Sequence, residues 1–251
     1  MDLGLQSKTA LVTGASRGIG RGIAAALAAE GARVAITSRD GTTAAAAAAE
    51  IGPNVKAYAF DSDDLAAVDP LLDAVERDLG PVDVYVANTG GPPVGADPLA
   101  FTDEQWEAAH RTLVVSPMAI LRRLVPGMRE RGWGRVLAVS SSAAVEPLGG
   151  LQLSNANRPG LLAAFKLLAR ETAGDGVTFN AVLPGRIATD RIADNAGGMD
   201  KAQEAARGEV PAGRLGEVAE IAAAAVFLVS GPASYVTGQA LRVDGGLTRS
   251  W

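Results

Sequence analysis

The sequence contains no cysteine and a single histidine, His110. The first absence excludes disulfides, thiolate nucleophiles and thiolate metal sites, and the second leaves too few imidazoles for a histidine-based metal centre. An excess of positive charge is also missing. Lys and Arg total 23 against 28 Asp and Glu, a formal net charge of −5, so there is no electrostatic ground for a nucleic-acid or anionic-membrane partner. The first residues, MDLGLQSKTALVTG, lack a basic segment followed by an apolar run, and the most apolar helical stretch, Ile221 to Val229, is far too short to span a bilayer. A soluble, cytoplasmic protein is expected.

What is present is repeated alternation of strand and helix patterns over 251 residues, 48% of them hydrophobic. That length and content fit one domain, residues 1–251, with a single large core. Strand-like runs occur at Lys8 to Thr13, Arg33 to Ser38, Val55 to Phe60, Val82 to Ala87, Arg135 to Ser140, Val177 to Val182 and Gln239 to Asp244. Strands separated by helices imply right-handed parallel crossovers, hence an α/β fold: a doubly wound parallel sheet of seven strands with helices on both faces. Ligands of such sheets bind beyond the carboxyl ends of the strands.

The stretch Lys8 to Gly31 is strand, glycine turn and helix in immediate succession. Gly14, Gly18 and Gly20 allow a tight turn, close approach of phosphates and close helix packing, while Ile19, Ile23 and Leu27 form one buried helical stripe. A helix beginning near Gly18 offers free N–H groups and a positive dipole end to a pyrophosphate. The order Thr-Gly-x-x-x-Gly-x-Gly from Thr13 to Gly20 resembles the classical short-chain dehydrogenase/reductase family, and the resemblance continues to about Gly246. It implies a Rossmann-type nucleotide domain and a nicotinamide cofactor held by Gly14, Ser16, Arg17, Gly18, Ile19 and Gly20.

Further along, Ser38 stands at the strand end where NAD-dependent relatives carry Asp, and Arg39 follows it. Arg39 and Arg17 suit the 2′-phosphate of NADP, because guanidinium matches phosphate in geometry as well as charge. NADP(H) is therefore expected over NAD(H), with Asp40 the competing observation unless it caps the next helix. The resemblance also implies Asp61 and Ser62 beside the adenine, Asn88 and Gly90 after the fourth strand, and Pro184, Gly185, Ile187 and Thr189 beside the nicotinamide. Asp61 or Asp63 has an alternative reading as a cap of the helix Leu65 to Leu79.

The same alignment assigns the family's substrate-positioning serine to Ser141, but puts Ser154 where the catalytic tyrosine stands and Arg158 four residues on, in place of the lysine. The relay asparagine falls on Leu113. His110, three residues earlier on the long helix Asp103 to Arg131 that Pro117 should kink, is read as a surface or subunit-contact residue, with a replacement acid as the alternative. Pro159 is expected to start a helix, leaving Ser154 to Arg158 irregular. Candidate catalytic groups are thus Ser141, Ser154 and Arg158. No metal is expected. Residues 190–213, with a Gly197-Gly198 hinge and a short helix around Ala202 to Arg207, have the character of a substrate lid.

The resemblance implies an oxidoreductase similar to 3-oxoacyl carrier-protein reductases, working on a small carbonyl or alcohol substrate, with a homotetramer or homodimer as the assembly. A nucleotide-binding homologue without hydride chemistry, or a non-redox relative, stays open because a phenol and an ammonium are missing where the reaction ordinarily uses them.

Overall fold

The computed structural model describes residues 1–250 and contains one seven-stranded sheet, all parallel, in the order β3-β2-β1-β4-β5-β6-β7. The strands are β1 (Thr9–Val12), β2 (Arg33–Ser38), β3 (Val55–Ala59), β4 (Val84–Ala87), β5 (Gly134–Val139), β6 (Val177–Pro184) and β7 (Ala240–Val243). The doubly wound sheet read from the sequence is the observed one. Boundaries move by one or two residues, as strand ends commonly do.

Alternation along the strands divides the core. In β1 and β2, Leu11 and Ala35 face a cluster with α3 (Val68–Leu79), α5 (Ser116–Glu130) and α6 (Gln152–Thr172). Ala10, Val12, Val34 and Ile36 face the opposite cluster, under α1 (Gly18–Ala29), α2 (Gly41–Ile51) and α9 (Val218–Leu228). With both faces covered, the strands are apolar on both sides, which is why β1, β4, β5 and β6 are buried throughout.

Strand order reverses between β1 and β4, so the loops leaving these two strands diverge and open a crevice between them. The rest of the site is brought to the same sheet edge by the ends of β2, β5 and β6.

Two helices differ from expectation. The stretch Asp103 to Arg131 is α4 (Asp103–His110) and α5, joined by a π-helical turn over Arg111–Val115. Pro117, in the first turn of α5, has no N–H for the Leu113 carbonyl, and the wide turn before it absorbs that defect. The helix expected to start at Pro159 instead starts at Gln152 and runs through the proline. Tertiary bonds outweigh the local cost. Asn155 exchanges two hydrogen bonds with the Leu148 backbone, Asn157 is bonded to His110, and Leu153, Ser154 and Asn157 are buried. Ser154 to Arg158 is therefore regular helix.

Candidate active site

The glycine turn is held in shape by Asn88. Its Nδ2 donates to the carbonyls of Thr13 (3.1 Å) and Gly14 (2.8 Å), while Thr13 Oγ1 donates to the Asn88 carbonyl at 2.8 Å. Gly14 has φ +58°, and a Cβ on Gly20 would lie 2.5 Å from Asn88 Nδ2 and 2.7 Å from the Gly14 carbonyl. A side chain at either position would break the turn or the clasp. Helix α1 starts at Gly18 as expected, with no side chain capping its first turn and no acid in it. Its leading N–H groups face a crevice of about 530 Å³ walled by Arg17, Gly18 and Ile19 on one side and Thr89, Gly90 and Gly91 on the other.

The crevice continues past the ends of β2 and β3 into a second cavity, of about 480 Å³, lined by Ser16, Arg17, Ser38, Arg39, Asp61 and Ser62. Ser16 Oγ donates to Ser38 Oγ at 3.3 Å. Arg17 and Arg39 make no ion pair among the described residues. Asp40 caps α2, accepting from Thr42 N at 2.8 Å, and does not line the cavity. The capping alternative for Asp61 or Asp63 is corrected: Asp64 makes the cap, accepting from Ala66 N, and Asp61 accepts from Asp63 N in a local turn.

On the other side, beyond β5 and β6, lies an inner cavity of about 210 Å³. Ser141, Ser154 and Arg158 line it together with Pro184, Gly185, Ile187 and Thr189. Ile19, Asn88 and Thr89 border both spaces, so crevice and inner cavity are contiguous. Helix α6 sets Ser154 and Arg158 one turn apart, and Arg158 Nε donates to Ser154 Oγ at 3.4 Å while Nη1 donates to the Val139 carbonyl at 3.1 Å. Ser141 Oγ accepts from Ala143 N at 3.1 Å, which leaves its hydrogen free to donate. Burial, and secondarily the charge of Arg191, pull the Arg158 guanidinium down to about 10. It stays a cation at neutral pH.

The lining contains no Tyr, Lys, His, Asp or Glu. Tyr85 is sealed in the core, where burial raises its phenol; Tyr58, pushed up to about 12 by burial and its bond to Asp78, lies elsewhere; Tyr235 is fully exposed. His110, exposed on α4, meets Asn157 outside the cavity. Among the described residues no group of His, Cys, Asp and Glu is arranged to hold a metal ion, and no helix is long and apolar enough to cross a membrane. The polar side chains of the cavity are thus hydroxyls, guanidiniums and the carboxamides of Asn88 and Asn195.

Sequence reasoning missed Thr89, Gly91, Arg186 and Arg191, all of which line the cavity. The signal was available for three of them, since they directly follow β4 or β6. Arg191 was less visible. It lies in the first turn of α7 (Asp190–Ala196), and its Nη1 and Nη2 reach back to the carbonyls of Gly91 and Pro92, both at 2.9 Å.

A family profile described as Enoyl-(Acyl carrier protein) reductase matches residues 14–248. The chain is a short-chain dehydrogenase/reductase. It is 36% identical over 247 residues to the 3-oxoacyl-[acyl-carrier-protein] reductase FabG of Escherichia coli (strain K12), covering 98% of this chain and 99% of that one. Against the acetoacetyl-CoA reductase of Rhizobium meliloti (strain 1021), identity is 36% over 242 residues, 96% and 98% of the two chains. Among solved structures, the L-sorbose reductase of Gluconobacter frateurii complexed with NADPH and L-sorbose superposes with a TM-score of 0.94 at 32% identity, covering both chains fully. The 3-ketoacyl-(acyl-carrier-protein) reductase of Brucella melitensis complexed with NADH gives 0.89 at 33% identity, over 97% of this chain and 99% of that one. These relatives of the short-chain dehydrogenase/reductase are named as reductases, and the two structures hold a nicotinamide coenzyme.

Proposed function

We propose that the protein is an NADP(H)-dependent oxidoreductase that interconverts a small carbonyl compound and its alcohol in an atypical site built from Ser141, Ser154 and Arg158. The observation that carries this reading is the continuity of the Asn88-clasped glycine crevice with the cavity holding those three residues. The crevice fits a dinucleotide: Gly14 and Gly20 keep it clear of side chains, and the uncapped start of α1 offers N–H groups to a diphosphate. Gly18, Ile19 and Gly90 flank the diphosphate, Ser16, Ser38, Asp61 and Ser62 the adenosine, and Pro184, Gly185, Ile187 and Thr189 the nicotinamide. Arg17 and Arg39 take the 2′-phosphate, and Asp40, engaged with Thr42, does not compete with it.

A nicotinamide dinucleotide bound there supplies or accepts a hydride at carbon. The chain's part is electrostatic. Ser141 and Ser154 donate to the substrate oxygen, and Arg158 holds Ser154 in place and stabilises the negative charge that develops on that oxygen. Arg158 retains its own proton at neutral pH, so the proton on the product alcohol comes from water. The Ser154 and Arg158 pair thus stands where relatives use tyrosine and lysine, at the cost of a general acid worth roughly 10² to 10⁴ in rate.

Residues 190–213, here α7 and α8 (Met199–Glu209) hinged at Gly197 and Gly198, serve as the substrate lid of a single domain spanning residues 1–251. The protein works in the cytoplasm as a homotetramer or homodimer, without nucleic acid or membrane. The test is a fluorescence titration with NADPH and NADH followed by single-turnover oxidation of bound NADPH by a panel of ketones and oxo acids. Tight NADPH binding with turnover of any of them supports the reading, and no affinity for either coenzyme overturns it. The absence of Tyr, Lys and His from the cavity favours one second reading, a coenzyme-binding protein without catalysis. NADPH binding with no turnover of any substrate decides for it.

A further inference from the structure

Three arginines line the inner cavity and no carboxylate does. Arg186 is accounted for, because its Nη2 is paired with Glu209 at 2.8 Å. Arg158 and Arg191 are not: neither has an ion-pair partner among the described residues, and their guanidiniums are bonded only to backbone carbonyls and to Ser154. The acids closest to Arg191 in sequence, Asp190 and Asp194, line the outer crevice and not the inner cavity. Arg191 is held in place by its two bonds to the Gly91 and Pro92 carbonyls, and the missing side chain at Gly91 leaves room for its guanidinium.

Arg158 is half-buried at the cavity wall and Arg191 is exposed where the cavity meets the outer crevice, so an anion in that space is attracted by both guanidiniums. The hydroxyls of Ser141 and Ser154 line the same cavity and offer a ligand's oxygens neutral donors beside the guanidiniums.

Building on the proposed oxidoreductase function, we infer that the inner cavity recognises a carboxylate through Arg158 and Arg191, and that the substrate is a compact oxo acid or its hydroxy acid. Guanidinium is matched to carboxylate by its planar fork of donors. Size points the same way: the nicotinamide proposed to lie against Pro184, Gly185, Ile187 and Thr189 shares this space of about 210 Å³, which leaves room for a few-carbon acid better than for a long neutral acyl chain. Carboxylate on the guanidiniums and carbonyl oxygen on Ser141 and Ser154 use the donors available without leaving a cation unpaired.

The test is calorimetric, with two probes of similar size and different charge: oxamate, an anion, and pyruvamide, which is neutral. Each is titrated into the full chain, alone and saturated with NADP⁺. The expected result is oxamate affinity at least tenfold above that of pyruvamide, lost by tenfold or more in Arg158→Gln and Arg191→Gln and partly kept in Arg158→Lys, which restores the charge without the planar fork. Equal affinities for the two probes, or oxamate binding untouched by both glutamine variants, overturn the carboxylate site. If Arg158→Gln loses NADPH affinity while keeping oxamate affinity, the guanidinium serves the coenzyme and the inference falls. Failure of the protein to bind NADPH sinks the oxidoreductase reading alone, because the coenzyme-free titration still reads the anion site. Should Arg158→Gln not fold, Arg191→Gln and Arg158→Lys decide the outcome.

Discussion

Ser154 Oγ accepts a hydrogen bond from Arg158 Nε across one turn of α6, at 3.4 Å, and the same guanidinium is anchored to the end of β5 through the Val139 carbonyl. The arrangement turns a flexible side chain into a fixed donor set, with Ser154 oriented toward the cavity and its own hydrogen available. If that hydrogen meets the substrate oxygen, Ser154→Ala removes one stabilising donor. The expected loss is about 10² to 10³ in kcat with KM little changed. Steady-state kinetics on any accepted substrate measures it, and an unaltered kcat removes Ser154 from the reaction.

The clasp between Asn88 and the glycine turn gives a separate prediction. Gly20→Ala places a methyl group on Asn88 Nδ2 and on the Gly14 carbonyl, neither of which can retreat without breaking the bonds that shape the turn. Overpacking of this kind costs typically about 1–3 kcal/mol. NADPH affinity should fall by tenfold or more, while circular dichroism shows an intact fold. Asn88→Ala should weaken coenzyme binding by the opposite route, freeing the Thr13 and Gly14 carbonyls from the side-chain amide that holds them.

Arg17 and Arg39 line the cavity beyond β2, and the proposed preference for NADP(H) depends on them. A hydrogen bond to a charged group contributes roughly 1.5–3 kcal/mol, so Arg39→Ala should raise the Kd for NADPH about tenfold or more and leave that for NADH nearly unchanged. Paired fluorescence titrations check this. Equal effects on both coenzymes would mean that Arg39 does not reach the 2′-phosphate.

The sheet was legible because its evidence is local and redundant: apolar runs four to eight residues long, glycine at the first turn, and regular alternation with helices. The crevice followed from topology, since the loops after β1 and β4 must part where strand order reverses. Two kinds of feature were not legible. Pro159 argued against a helix through Ser154, and it is overruled by the bonds from Asn155 to the loop at Leu148 and from Asn157 to His110, 47 residues away, together with the burial of Leu153, Ser154 and Asn157. Arg191 looked like any surface arginine, because the carbonyls that hold it belong to residues about a hundred positions earlier. Long-range pairings of single side chains leave no periodic trace.

The uncompensated charge of Arg158 should be visible in stability as well as in binding. Burial is the main cause that pulls its guanidinium down to about 10 in the folded protein, well below its ordinary value in the unfolded chain. The folded state therefore carries a penalty for the charged form that is complete below pH 10. As pH rises from about 10 toward the ordinary guanidinium value, the folded guanidinium loses its proton first and the penalty disappears. Each pKa unit corresponds to about 1.4 kcal/mol, and with discounting for partial exposure the penalty is about 1–3 kcal/mol. Arg158→Met removes the charge but also the bond to the Val139 carbonyl, which offsets part of the gain. The net expectation is a variant with higher Tm than the parent at pH 8, a margin that shrinks as pH approaches 10.5, and no measurable response to oxamate. Oxamate should raise the Tm of the parent by neutralising the guanidinium. Thermal unfolding of both proteins at pH 8, 9, 10 and 10.5 checks the sign. A parent more stable than the variant at pH 8 would mean that the hydrogen bonds of Arg158 outweigh the cost of burying its charge.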